Sequence, residues 1–561
     1  MMHRMTLPAS PLRLPLLLAL LTPLFFTTLP ASAASQPQQG TEKISSGFAG
    51  AEFTPGDNNG ANFLGITTVP EYERYDSTNR WSTVRAADLL AELKKFKGTG
   101  SSPAMRNIWR DVLLSDFSGL KASGPGEQTA LMAERLRILN RLGFFDEAVR
   151  LYQQAAMKRP IPEKIAIEAI NAMALSGSAD GACLETMMAA KNLKGKNWSQ
   201  DAALCARYFG QDERAASIYD TIAKDSGSGF RAVYKALGGK GGGVVQADIP
   251  ALWRTLLLAN GATVTSQSLR KADPMVFASL AESVHVPLNM RLVAASRAAD
   301  AGTVGFDRLR KLYEAKHPTD AGVVAIIKQM EAGEELPQSD LYSAARFTFE
   351  GNARARIVDN ALKSLRPRTN IKGHVFGWIV DKLTLQPDRI KWFAPHGYAL
   401  MMATNRAASA KIYYDAGNLQ HSPMAIIEAL EEGKPWSPKQ VEAWKYGMEE
   451  RFGDHADSRI NKSLTLLKAY DTDNKLALAS QNGVKNDVSA ASAQPRFLKD
   501  SIQKGGRGLT LITALNRLGT APQTSQLSTD ELAEMARVFA QQGLFGPRKK
   551  ITLEILLQTV L

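Results

Sequence analysis

The chain has 561 residues, 44% of them apolar and 22% charged, enough to bury a sizeable core and to exclude wholesale disorder. Lys and Arg number 68 against 55 Asp and Glu, a formal charge of +13. Two cysteines exclude both a disulfide-dense scaffold and a four-cysteine zinc site.

The first 33 residues have the layout of a secretory signal peptide. Arg4 and Arg13 form a positive start, Leu14 to Leu29 an apolar stretch, and Ala31-Ser32-Ala33 a small-residue cleavage site before Ala34. Pro15 and Pro23 interrupt the apolar stretch, which is short of the roughly 20 residues that span a bilayer. Cleavage removes two Arg and no acid, leaving +11. No cysteine follows the apolar stretch closely, so no acyl anchor is expected. The mature chain is expected to be exported to a periplasm and soluble there, with no transmembrane segment after cleavage.

Residues 34–80 are rich in Gln, Gly, Asn and Ser, with TPGDNNGANF as the extreme, and read as a disordered leader. From Trp81 the pattern is helical nearly to the end, with no sustained alternation of β-branched residues, so the predicted fold class is all-α. A first helical array is expected over 81–237. Within it, LNRLGFFDEAVRLYQQAAMKRP places Gly143, Ala148, Tyr152, Ala155 and Pro160 at intervals of 5, 4, 3 and 5. ARYFGQDERAASIYDTIAKD repeats the first three elements at Gly210, Ala215 and Tyr219, and weaker echoes fall at Asn405, Ala410, Tyr414 and at Ala355, Asp359, Leu362, Pro367. Glycine turns the chain between two helices, the small alanine lets them approach, and the aromatic fills the groove to the next pair. That spacing resembles tetratricopeptide repeats. The resemblance implies an α-solenoid of stacked helical pairs and no particular function.

Cys183 and Cys205 flank the polar turn KNLKGKNWSQ at matching distances. Two antiparallel helices would bring them to one height, where an oxidising compartment would join them; the alternative is a pair of buried free thiols. No His pairs with either in a recognisable catalytic motif.

The run GGKGGG within a Gly-rich linker at 238–248 lacks the Ser or Thr and the preceding strand of a phosphate loop. A second helical array is predicted over 249–480, a linker or loop over 481–497, and C-terminal helices over 498–561. In that last stretch Ser528 and Glu531 form a capping box, and Leu532, Met535 and Phe539 line one face before Gly543 stops the helix. Ser422 and Pro423 open a helix that Gly433 and Pro435 close.

Two segments, VPLNMRLVAASRAADAGTV and the terminal GLFGPRKKITLEILL, together with Trp198 and Cys205 ahead of FGQDERAA, resemble an exported family of alphaproteobacterial helical proteins. Gly546 and Pro547 depart from that family's acidic and small residues. This resemblance implies location and architecture only.

Catalytic motifs are hard to find. The six histidines beyond the signal peptide (His285, His317, His374, His396, His421, His455) include no two within five residues of one another and no H-E-x-x-H. Ser268 with Lys271, and Ser501 with Lys504, match S-x-x-K, but the S-D-N and K-T-G partners are missing. Glu282-Ser283 matches only the start of a lytic transglycosylase module. No catalytic residue, cofactor or metal is therefore assigned. Arg548, Lys549 and Lys550 form the one tight basic cluster, a candidate patch for an anionic envelope surface or peptidoglycan; nucleic acid is not expected as a partner. The expected function is a non-catalytic periplasmic helical-repeat scaffold or adaptor that binds envelope proteins or peptides. The alternatives are a peptidoglycan-binding or remodelling module, or an auxiliary subunit of a trans-envelope machine such as a flagellar motor or secretion system.

Overall fold

The computed structural model describes residues 81–98, 102–117, 119–121, 124–155, 161–239, 243–270, 272–349, 351–364, 375–376, 379, 430, 438–471, 496–519 and 527–560. The predicted signal peptide with Ala33 and Ala34, the leader, Pro160, Pro367, the echo at 405–414, all but Leu430 of the predicted 422–435 helix and nearly all of the 481–497 linker lie outside them. Every described residue belongs to one compact unit, Asn58–Leu561.

Among the described residues the protein is all-α. No strand is present, only two isolated bridges, Arg85 with Lys121 and Val244 with Thr263. The helices are α1 (Ala86–Leu93), α2 (Pro103–Leu114), α3 (Pro125–Arg141), α4 (Phe145–Ala155), α5 (Glu163–Leu175), α6 (Ala179–Asn192), α7 (Lys196–Tyr208) and α8 (Asp212–Ile222). They continue as α9 (Ser228–Leu237), α10 (Ala251–Ala259), α11 (Pro274–Glu282), α12 (Leu288–Asp300), α13 (Phe306–Glu314), α14 (Asp320–Glu331), α15 (Gln338–Phe347) and α16 (Gly351–Ser364). After the break come α17 (Pro438–Phe452), α18 (Ala456–Tyr470), α19 (Arg496–Gly519), α20 (Thr529–Gln541) and α21 (Phe545–Val560).

One turn organises most of the pairs. At Gly143 the backbone takes φ +74°, and the Phe144 N–H closes back on the Leu139 carbonyl at 2.9 Å. This six-to-one bond satisfies carbonyls that a helix end leaves open, and the positive φ favours glycine. The same turn recurs at Gly177, Gly210, Gly261, Gly302, Gly333 and Gly543. Helix starts are equally local. The Ser528 hydroxyl accepts from the Glu531 N–H at 3.2 Å, completing the expected capping box, and Ser102 caps α2 ahead of Pro103.

Through α3–α8 each helix packs on the next, and α3 also packs on α5. The rest of the fold departs from that chain-order stacking. α5 meets not only α4 and α6 but also α10 and α11. Its sequence, EKIAIEAINAMAL, is apolar around nearly the whole circumference, and Ala166, Ala169, Ala172 and Ala174 are fully buried. Small side chains let several helices approach one axis, and an apolar circumference marks a helix enclosed on all sides. α9 and α10, which flank the Gly-rich stretch, pack on each other.

The two ends of the described chain also meet. α1 and α2 pack on α19, and α2 packs on α21. Asn516 donates to the Glu92 carbonyl at 2.7 Å, and Thr83 donates to the Gly505 carbonyl at 3.1 Å. Gly506, with φ +55°, breaks α19 where Thr83 approaches.

Candidate functional site

The cysteine hairpin forms as spacing suggested. Cys183 on α6 and Cys205 on α7 are disulfide-bonded, fully buried, with Cα atoms 5.2 Å apart. Beside it, the Trp198 indole N–H donates to Glu163 at 2.8 Å and ties α7 to α5.

A groove of about 480 Å³ opens on the other side of α6. α4 supplies Asp146, Val149, Arg150 and Gln153 along one wall. Met173, at the end of α5, forms the floor with Ser176 and Ser178 of the Gly177 turn. Leu184, Glu185 and Met188 of α6 make the second wall. Gly181 keeps that wall open: a Cβ there would lie 2.7 Å from the Ser178 hydroxyl. Leu184 and Met188, one helical turn apart, are 56% and 36% exposed, an apolar pair facing water instead of core.

The groove's polar edge is tied to α11 and α13. Arg308 of α13 pairs with Asp146 at 3.5 Å and with Glu282 of α11. Burial lowers the Arg308 pKa, and Asp146 opposes that shift. Nearby, a Cβ on Gly177 would sit 3.6 Å from the Ser283 Cα, so the α5–α6 turn abuts the end of α11. Val284, the next residue, is 77% exposed.

No nucleophile–base pair is visible in the groove. Ser176 spends its hydroxyl on the Met173 carbonyl at 2.9 Å. Ser501 is buried and donates to the Leu498 carbonyl, whereas Lys504 is exposed. Ser268 is locked in a local turn with Thr265, and Lys271 lies outside the described residues. Ser283 is buried and Glu282 engages Arg308. Among the described residues no three His, Cys, Asp or Glu side chains gather as metal ligands.

Two carboxyls stand out electrostatically, one partly buried and one buried. Asp201 is pushed up to about 6 by burial, against the lowering effect of the Trp253 indole N–H, which donates at 2.6 Å. Glu554 is pushed up to about 7, again by burial.

The residues of the predicted repeat spacing fall in different surroundings. Ala148, Tyr152 and Ala215 are buried, and Gly143 and Gly210 make their turns. Ala155 ends α4. Tyr219 is only half-buried and stacks on Tyr234 with centroids 4.2 Å apart, beside Phe230.

The basic cluster needs a correction. Arg548 is 7% exposed, with its guanidinium 4.5 Å from the centre of the Tyr470 ring and 5.1 Å from that of Phe545. Lys549 and Lys550 are half-buried, so the three do not form an exposed patch. A planar cation over aromatic faces is well accommodated at a packed helix junction.

The groove itself was missed by sequence reasoning. No local signal in the sequence marks the helix face that carries Leu184 and Met188 as uncovered.

No protein-family model, curated protein or solved structure matches this chain. Among the described residues no helix is long and apolar enough to cross a membrane.

Proposed function

We propose that this chain is an exported, non-catalytic α-solenoid of the tetratricopeptide type that scaffolds envelope components in a periplasm, docking partner peptides or helices in the α4–α6 groove. The observation that carries the reading is the groove's composition. An exposed apolar pair, Leu184 and Met188, stands over a Met173 floor and faces Asp146, Arg150 and Gln153 across the opening. A partner's apolar side chains would fill the floor, and the α4 side chains would meet its polar groups. The recurring glycine turn and the packing of α3 on both α4 and α5 support the repeat architecture. The disulfide fits an oxidising compartment.

The test is in vivo cross-linking and capture of the tagged chain, wild type against a Leu184→Glu, Met188→Glu double variant. Both changes fall at exposed positions, so the helical circular-dichroism signal and melting should be preserved. The envelope proteins captured by the wild type should be lost. Equal capture by both chains removes the groove from the account, and recovery of muropeptides in place of proteins moves the reading to the cell wall.

A further inference from the structure

Where the chain's ends meet, a buried acid sits against a helix start. Glu554, on the last described helix, is 3% exposed. One carboxyl oxygen, Oε2, accepts from the Ala104 N–H in the first turn of α2 at 3.0 Å. The Ser102 hydroxyl also hydrogen-bonds to this carboxyl while it caps the Met105 N–H at 3.1 Å. The other oxygen, Oε1, is sealed from water and has no hydrogen-bond partner. These contacts join residues 450 apart.

We propose that Glu554 is a proton-controlled latch, which holds α21 on α2 while the carboxyl keeps its proton and loosens that junction when the proton leaves. An ionised carboxylate with a dry, unpaired oxygen is costly, and a proton removes the charge. The helix start favours the anion, as do its two donors, but desolvation is the larger influence and raises the carboxyl to about 7.

Charged neighbours do not supply the effect. On α2, Arg106 is committed to the Leu142 carbonyl and Arg110 to Asp111. On α18, Arg459 donates to the Thr559 carbonyl, and Lys462 is lowered by burial and by Arg459; Asp457 and Lys468 are the remaining charges. On α20, Glu534 pairs with Arg537 and Glu531 with Arg517, with Asp530 beside them; α21 itself carries Arg548, Lys549 and Lys550. Only burial, Ser102 and Ala104 act on Glu554.

The sign follows from linkage. A hydrated Glu titrates near 4.5 and the latched one near 7. The proton-linked stability is therefore complete below about 4.5 and is lost as pH rises through about 7. If opening exposes the carboxyl, the opening equilibrium should rise on the order of 50-fold between pH 5 and pH 8.

Hydrogen exchange of the full mature chain, read in peptides from α2 and α21 and corrected for intrinsic exchange rates, tests this. In the wild type, protection should fall by that factor from pH 5 to pH 8. In Glu554→Gln the pH dependence of these peptides should disappear. Ser102→Ala removes a donor that lowers the pKa, so it should move the wild-type midpoint to higher pH; this variant serves if Glu554→Gln does not fold. Protection that is flat with pH in the wild type overturns the latch. The same is true of a pH response unchanged in Glu554→Gln, or of a midpoint unmoved in Ser102→Ala.

Discussion

The α3–α8 region and the junction between the chain's two ends are both helical, but they are assembled from different kinds of contact. In α3–α8, neighbours in space are neighbours in sequence: glycine turns set each pair, and a disulfide spans only 22 residues. At the end junction, α1 and α2 pack on α19 and α21 within the hydrophobic core, and the polar contacts there join partners more than 400 residues apart. Local contacts carry little loop-closure entropy, whereas the distant ones must offset far more. The α3–α8 region should therefore be the sturdy part and the junction the adjustable one.

Two glycine turns separate backbone strain from close packing between distant segments. Gly143 and Gly210 have nearly the same φ, +74° and +69°. At Gly143 a Cβ would lie 2.0 Å from the Thr303 carbonyl oxygen, where the α3–α4 turn abuts the α12–α13 turn; at Gly210 nothing lies within 4 Å. Gly143→Ala should therefore cost about 4 kcal/mol in urea unfolding, strain plus forced separation of packed backbone. Gly210→Ala should cost only the strain, about 1 kcal/mol. Equal losses would mean that the Gly143–Thr303 approach does not hold these two turns together.

Opening the disulfide by Cys183→Ser with Cys205→Ser should cost about 3 kcal/mol. Its effect should be largest in amide exchange of α6 and α7 and absent at α2 and α21. Thiol labelling of the denatured, unreduced chain should find no free cysteine.

The smallest expected effects fall at the junction. Asn516→Ala removes the bond to the Glu92 carbonyl and should cost about 1 kcal/mol, read as faster exchange in α1 and α19 with α6 unchanged. A matching slowdown or speed-up throughout α3–α8 would show that the two regions are one cooperative unit.

Much of the local structure was legible in the sequence, because caps and turns are read from a few adjacent residues. Ser528 with Glu531 and Gly143 with its Ala and Tyr are such cases. Gly177, Gly261, Gly302 and Gly333 make the same turn, but none is followed by both the alanine and the aromatic that follow Gly143: Gly177 has only Ala182 and Gly333 only Tyr342 at those spacings, so the sequence pattern did not single them out. Arg548 read as surface because a basic run usually is; its burial depends on Tyr470, 78 positions earlier, which no local pattern links to it. The groove was illegible for a related reason. Whether Leu184 is covered depends on which helix fails to pack over it, and that is a property of the assembled array.

The most direct test of the scaffold reading places a photo-activatable amino acid at position 184 in the groove, and in a separate chain at position 324, where Val324 is similarly exposed on α14. Each chain is expressed in the native cell, irradiated, and its adducts identified by mass spectrometry. The account predicts a short, reproducible set of envelope proteins joined at 184 and not at 324. Adducts shared by both positions, or none at 184, would contradict it.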